Sequence, residues 1–390
     1  MTELLLAFDF PPIGGGIARW MAELALRYPP GELIVSTGTL PGADDRGFPG
    51  PIDRISIPSN RLRTLPGLWA WRRRVRELVV RHRVDFVWCA NIRPAGYVAF
   101  RTRSRDGIPY GIMVHGGDLL QLQAKYRRST VKRRVARSLL GGAAAIVANS
   151  RWTADLARAV LRELGLDPAD RLHVVPLGSD PRRFRPGVDA APVASRLGIP
   201  PGRWLITVAR LVPHKGIDLS LEVLARLRRT MPDLGLLVVG RGPDADRLGR
   251  LVDRLDLGGA VRFLDQVGDD DLPALYGGAV AAVGLSREEG LDVEGFGIAL
   301  VDAAAAGLPV VAGASGGTAD AVRAGETGLL VPPRDPAAVE SALTRILADP
   351  ALAQRMGAAG RRWVETEMNW DRVATDLRAI SRAAASSARR

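Results

Sequence analysis

Three hundred and ninety residues, 47% hydrophobic and 25% charged, have the balance of a globular chain of two or three domains at roughly 100–200 residues each. That balance excludes a disordered or collagen-like chain, and no run approaches the roughly 18 consecutive apolar residues of a membrane-spanning helix. The formal net charge of +12 is lopsided: residues 1–180 carry 27 Lys/Arg against 16 Asp/Glu, and residues 181–390 carry 27 against 26.

The chain opens MTELLLAFDFPP, with Glu3 and no basic residue, which is not the pattern of a secretory signal and favours a cytoplasmic location. An apolar run at Leu4–Phe8 predicts a strand. Pro11, Pro12 and three glycines follow, then an amphipathic helix over Ile17–Arg27. Further apolar runs at Leu33–Val35, Val84–Ala90, Gly111–Val114, Ala144–Ala148 and His173–Pro176 predict more strands, mostly separated by helical stretches. Short apolar runs spaced by helices argue for a parallel sheet covered on both faces. Cys89 is the single cysteine, which excludes an internal disulfide and a cysteine-based zinc cage. His82, His115, His173 and His214 show no metal-ligand spacing.

Pro181, Pro186, Pro192, Pro200 and Pro201 then interrupt the pattern. They predict a linker at 183–202 between a first domain of residues 1–182 and a second of 203–365. Strands are expected at Trp204–Ala209, Leu234–Gly240, Val261–Leu264, Val280–Leu285, Pro309–Ala312 and Gly328–Val331. Helices are expected near Asp218–Arg229, Asp244–Leu255, Ile298–Ala306 and Pro336–Leu347, and a last one at about 366–386 is expected to pack back on the first domain. The fold class is therefore α/β, two doubly wound Rossmann-like domains facing across a cleft. Ligands of such sheets sit at the carboxyl ends of the strands, which makes the cleft the expected site.

Three segments carry chemistry. Gly14-Gly15-Gly16 stands between the first strand and its helix, where backbone amides can approach a phosphate and the helix dipole favours its charge. The run lacks G-x-G-x-x-G spacing and a Walker lysine, and by itself it reads equally well as a tight turn. In VARLVPHKG, Arg210 and Lys215 follow the first strand of the second domain across a Pro-containing turn. Two cations there suit a diphosphate clamp, the guanidinium bidentate and the ammonium a point charge; their place at a strand's carboxyl end favours this over a solvated loop. In GLDVEGFGIALVDAAAAGLPVVA, Glu294 precedes a Gly-Phe-Gly turn that opens a helix, and Asp302 follows eight residues later. Such a carboxylate can accept hydrogen bonds from sugar hydroxyls, and the amides of Gly295, Phe296 and Gly297 can donate to hydroxyls or phosphate. The plainer reading is an acidic residue favoured by a helix N-terminus.

E-G-F-G-x-x-x-x-D followed by A-x-A-A-G-x-P-V-V-A resembles the E-x7-E signature of family 4 retaining glycosyltransferases of GT-B architecture. Matching pieces span nearly the whole chain: FPPIGGGIARW, VHGGD at 114–118, the Arg210/Lys215 pair, the 290–312 block, SGGTADAV at 315–322, GETGLLVPPRDP at 325–336 and the Trp370 region. GLDVEG with AGASGG and VPHKG is most similar to phosphatidylinositol mannosyltransferases that use GDP-mannose. The resemblance implies a hexose moved from a nucleotide sugar, GDP-mannose favoured, to a lipid-linked or glycan hydroxyl. No cofactor and no metal are expected beyond that co-substrate. Gly15 and Gly16 would approach the donor diphosphate, and Arg210 and Lys215 would neutralise it. Glu294 would hold the donor sugar, with Gly295, Phe296, Gly297 and Ile298 beside it, and Asp302 would bind the ribose. Asp302 is one methylene shorter than the usual glutamate, which leaves a water-bridged contact as the alternative to a direct one. Val267 would lie by the base, contacted through backbone, and His115 beside the transferred sugar.

No carboxylate nucleophile is implied, so the leaving phosphate would take the acceptor's proton on the same face of the sugar. Asp269-Asp270-Asp271 precedes LPALY and reads as helix-start acids rather than a metal site. Two other readings stay open: a UDP-sugar family 4 transferase making polysaccharide or glycosylated metabolites, and a GT-B isomerase or nucleotide-sugar-binding protein that transfers nothing.

The basic excess is concentrated. Residues 61–83 hold eight arginines and one glutamate with Trp69 and Trp71 beside them, and residues 125–137 hold seven cations and no acid. Basic helices with tryptophan at the apolar edge suit an anionic membrane surface, the alternative being a solvated charged face. No nucleic-acid module is recognisable and aromatics are 5% of the chain, so nucleic acid is not expected as a partner. The expected location is cytoplasmic, peripheral to the inner face of the membrane.

Overall fold

A computed structural model describes residues 1–265, 267–268 and 270–389. The chain divides into two compact units, Met1–Leu177 with the final helix from Trp370, and Gly178–Asn369. In the first unit seven parallel strands lie in the order β3-β2-β1-β4-β5-β6-β7: β1 Glu3–Leu6, β2 Leu33–Thr39, β3 Ile52–Pro58, β4 Phe86–Cys89, β5 Tyr110–Val114, β6 Ala145–Ala148 and β7 Leu172–Val174. In the second, six parallel strands lie in the order β10-β9-β8-β11-β12-β13: β8 Arg203–Val208, β9 Leu234–Val239, β10 Val261–Leu264, β11 Ala279–Gly284, β12 Val310–Gly313 and β13 Gly328–Val331. Both orders are those of doubly wound sheets, whose crossovers put helices on both faces.

The central strands are buried along their whole length, ELLL in β1 and LGLLVV in β9, which is why they read as unbroken apolar runs. β3 is the strand that the apolar pattern missed. Its sequence IDRISIP is mostly half-exposed and pairs on one side only, with β2. An edge strand carries charge without penalty, and its periodicity is correspondingly weak. The Pro-rich stretch 183–202 lies inside the second unit, where Ala191–Arg196 forms a short helix.

The basic segment 61–83 folds mainly as the helix Leu65–His82. The Thr64 hydroxyl caps it by accepting from the Gly67 amide at 3.2 Å, and Arg83 closes it in the left-handed conformation. Its tryptophans part company. Trp69 is 68% exposed, whereas Trp71 is fully buried and donates its indole N–H to Ser36 Oγ at 3.0 Å. The expectation that both border a surface is therefore corrected for Trp71, because residues two apart on a helix point to different faces. Arg74 is likewise committed, with its guanidinium on Asp53 at 2.6 Å and on Glu77 at 2.9 Å. Among the described residues no helix is long and apolar enough to cross a membrane.

The final helix, Trp370–Arg389, is fastened to the first unit by polar contacts as well as packing. Trp370 is buried, Arg378 holds Glu32 at 2.6 Å, and Ser381 donates to the buried carboxylate of Glu3 at 2.8 Å. Glu3 Oε2 also accepts from Trp88 Nε1 at 2.7 Å and Tyr28 Oη at 3.1 Å. Burial raises this carboxyl to about 7, against the opposing pull of its three donors and Arg378.

Candidate functional site

In the second unit the expected residues gather at the carboxyl ends of β8 and β11, which are neighbours in the sheet. Beyond β8, Arg210 is exposed and a 3-10 turn, Pro213–Lys215, brings round Lys215. Gly216 then starts the helix Ile217–Leu227 with φ +65°. A Cβ there would lie 2.1 Å from the Leu285 carbonyl oxygen, so only glycine lets this turn pack on the end of β11. From that end comes Ser286, and further on Glu294.

Lys215 Nζ pairs with Glu294 Oε2, and Ser286 Oγ donates to the same oxygen at 3.3 Å. Both partners are mostly buried, with side chains 15% and 19% exposed. Burial alone would raise the Glu294 carboxyl, but Lys215, His214 and Ser286 together hold it below its ordinary value. The pKa of His214 is lowered as well, by burial first and then by the adjacent Lys215. The result is a carboxylate held in its ionised form and paired with a lysine, at a strand-end turn beside an exposed guanidinium. Such a set can receive an anion and hydroxyls together.

Two supports were not legible in the sequence. Arg287 grips Asp218 with both Nη atoms, at 2.8 and 2.9 Å, while its backbone amide donates to the His214 carbonyl at 2.8 Å. This ties the loop carrying Lys215 to the loop carrying Glu294. Gly316 and Gly317 back the Glu294 main chain: the Gly317 amide donates to the Glu294 carbonyl at 2.8 Å, and a Cβ on Gly316 would lie 2.2 Å from the same oxygen. The Ser-Gly-Gly run was the only signal for the second support, and nothing marked the first.

After Glu294, Gly295 and Phe296 are buried, and Gly297, at φ +106°, precedes the helix Ile298–Ala305, with Ile298 half-buried. Asp302, on that helix, is 1% exposed and accepts the Ser179 hydroxyl at 2.5 Å. Val267 follows β10, half-buried, at the same end of the sheet but beyond β9. Of the Asp269–Asp271 run, Asp269 lies outside the described residues. Asp271 stands just before the helix Leu272–Gly277, with its carboxylate on Arg196. Among the described residues no three His, Cys, Asp or Glu side chains are grouped to hold a metal ion.

In the first unit a second polar group forms at the carboxyl ends of the central strands. Gly15, at φ +114°, and Gly16 are exposed at the start of the helix Gly16–Arg27. His115 follows β5. Its Nε2–H donates to the Ala90 carbonyl at 2.6 Å, its backbone amide donates to Asp118 Oδ1 at 2.9 Å, and the Trp20 ring meets its edge. A carbonyl only accepts, so this contact fixes the proton on Nε2 and leaves Nδ1 as the acceptor of the neutral ring.

Asp9, after β1, has its carboxyl raised by burial, against Arg63, His115 and a hydrogen bond from Asn91. Asn91 after β4 and Asn149 after β6 each bury a carbonyl oxygen that has no partner among the described residues. Buried amide oxygens of this kind ordinarily have a donor. The apolar-run reading passed over Asp9, Asn91 and Asn149, whose only signal was a polar residue just past a strand end.

The family model described as Glycosyltransferase Family 4 matches residues 14–183, and that described as Glycosyl transferases group 1 matches residues 196–363. The GDP-mannose-dependent alpha-(1-6)-phosphatidylinositol monomannoside mannosyltransferase of Mycobacterium tuberculosis is 32% identical over 383 residues, 96% of each chain. The enzyme of that name from Mycolicibacterium smegmatis is 31% identical over 378 residues, 94% of each. Among solved structures, sucrose-phosphate synthase from Thermosynechococcus elongatus superposes with a TM-score of 0.79 at 24% identity, covering 99% of this chain and 100% of that one.

Proposed function

This chain belongs to the family 4 retaining glycosyltransferases of GT-B fold, and from that premise we propose that it moves mannose from GDP-mannose to a hydroxyl of a lipid-linked acceptor at the inner face of a membrane. The observation that carries the donor and acceptor is the match, over 96% of both chains, to an enzyme whose name states both. The Lys215–Glu294–Ser286 cluster with Arg210 supplies chemistry suited to the donor.

Lys215 and Arg210 neutralise the diphosphate, Lys215 exchanging its carboxylate partner for a phosphate oxygen as the donor enters. Glu294, still held by Ser286, accepts hydrogen bonds from sugar hydroxyls, and the amides of the 295–298 turn add donors. Gly15, Gly16 and His115 take the roles implied by the family resemblance. In the reaction the bond from the anomeric carbon to the phosphate oxygen breaks and a bond to the acceptor oxygen forms on the same face. The acceptor's proton passes to the leaving phosphate. The cations hold the charge that grows on the diphosphate, so catalysis is positioning and electrostatics. Asp302, with Oδ1 accepting from Ser179, meets the ribose directly or through a bridging water.

The membrane half of the reading is supported by the helix Leu65–His82. Leu65, Trp69 and Val80 are exposed on the face that also carries Arg73 and Arg76. Thermal shifts with GDP, UDP and ADP test the donor: a larger shift for GDP is expected. Equal shifts, or a larger one for UDP, overturn it. Release of GDP stimulated by phosphatidylinositol mannoside, and not by soluble glycans, tests the acceptor.

A further inference from the structure

Three elements of the first unit, with Tyr97 from the helix Ala95–Asp106, converge on a pocket of about 90 Å³ that no role has so far claimed. They are the turn after β4, the helix Gly117–Tyr126 and the helix Thr130–Gly142. Leu122 and Lys125 stand one turn apart on the first helix, and Val131, Lys132 and Val135 share a face of the second. Arg93 comes from the turn.

The three cations have no carboxylate partner among the described residues. The nearby acid, Glu163, is taken: Arg127 binds it at 2.9 Å, and Tyr126 and Gln123 donate to it. Lys125 feels the crowding, its pKa lowered by Arg93 first, then by burial, Lys132 and Arg63. Three like charges without a counter-ion repel one another, and an anion among them removes the repulsion. The positive end of the second helix, whose first turn includes Lys132, adds to the field.

The rest of the lining is apolar apart from the tyrosines Tyr97 and Tyr126. Leu122 is buried, but Val131 and Val135 are 66% and 41% exposed. Inorganic phosphate would satisfy the cations and leave both valines in water. We infer that this pocket seats the phosphate of an amphipathic phosphoester, with Arg93, Lys125 and Lys132 on its oxygens and Leu122, Val131 and Val135 against its apolar part. The inference deepens the lipid-acceptor reading and rests on it only for the identity of the ligand, because the pocket lies in the first unit and makes no use of the donor cluster.

Calorimetric titration of the full chain tests this, with three probes: dihexanoyl phosphatidic acid kept below its micelle concentration, inorganic phosphate and dihexanoylglycerol. The phosphatidate is expected to bind at one site, at least tenfold tighter than either of the others. Lys125→Met with Lys132→Met should weaken it tenfold or more without lowering the melting temperature, since both lysines are exposed. Val131→Ser with Val135→Ser should weaken the phosphatidate and spare inorganic phosphate. Equal phosphatidate binding by wild type and the lysine variant overturns the site, and phosphate binding as tightly as phosphatidate overturns the amphipathic ligand. A chain that binds phosphatidate through these lysines but does not turn over GDP-mannose supports the pocket and refutes the donor reading alone.

Discussion

Glu3→Gln should make the first unit more stable above neutral pH and no less stable in acid. The carboxyl is 2% exposed at the start of the central strand, where Trp88 and Tyr28 donate to one oxygen and Ser381 to the other. Its pKa in the folded chain is about 7, against 4.5 in a model peptide, a difference that corresponds to about 3 kcal/mol. The folded form binds the proton more tightly than the unfolded chain. Its stabilising effect is therefore complete below pH 4.5 and falls away as the pH rises to about 7, above which the loss is constant. Glutamine has no charge to bury. Its carbonyl can take the Trp88 and Tyr28 donors while its amide donates to Ser381, whose hydroxyl also accepts.

The gap between variant and wild type should thus open from near zero at pH 4.5 to about 3 kcal/mol at pH 8. Amide exchange of β1 and the final helix, measured at both pH values, reads this gap without interference from the second unit. Glu3→Leu serves as the control. It strands the Trp88 and Tyr28 donors, Ser381 keeping the Arg378 carbonyl as acceptor, and should cost about 1–3 kcal/mol at pH 4.5, a deficit that the wild type's own loss of about 3 kcal/mol offsets at pH 8. Parallel pH profiles for wild type and Glu3→Gln would refute the reasoning, since they would mean that the carboxyl titrates alike in the folded and unfolded chains.

Other predictions concern the second unit and the surface. Lys215→Ala and Arg210→Ala should each lower turnover at least tenfold in a GDP-release assay; wild-type turnover in both would remove the diphosphate clamp. Lys215→Ala also frees a carboxylate that is 19% exposed, so its melting temperature should fall slightly, whereas Arg210→Ala should leave it unchanged. Glu294→Gln should weaken donor binding but keep GDP binding in calorimetry, and loss of GDP itself would give Glu294 another role. Gly316→Ala meets the Glu294 carbonyl oxygen at 2.2 Å from a backbone at φ +56°. It should cost about 1–3 kcal/mol of stability and raise KM for the donor, and an unchanged KM would show that Glu294 does not depend on this support. Wild-type protein should sediment with anionic but not neutral vesicles, and high salt should release it. Replacing Arg72, Arg73, Arg134 and Arg137 by glutamine removes up to about 4 kcal/mol of surface attraction, and undiminished sedimentation of that variant would exclude these helices as the contact.

The sequence by itself determined the central strands of both sheets and the turns that carry Gly15, Arg210, Lys215 and Glu294. A buried parallel strand is a continuous apolar run, and a ligand-facing turn must contain glycine or a polar residue just beyond it; both are local properties that the chain spells out in order. Arg210, Lys215 and Glu294 were legible for this reason. Tertiary structure alone decided which partner each charge found. Lys215 and Glu294 are 79 residues apart, Arg287 and Asp218 are 69 apart, and Ser179 and Asp302 are 123 apart. The first two pairs meet because β8 and β11 are neighbours in the sheet though not in the chain, and the third because the helix Ile298–Ala305 packs against the segment at Ser179.

The basic segment shows the same division. Its charge is plain in the sequence, but only packing sends Trp71 inward to Ser36, fixes Arg74 on Asp53 and leaves Trp69 in solvent. The strand that periodicity missed, β3, supplies that Asp53. At a sheet edge burial no longer dictates residue type, so pairing with β2 had to be seen in three dimensions.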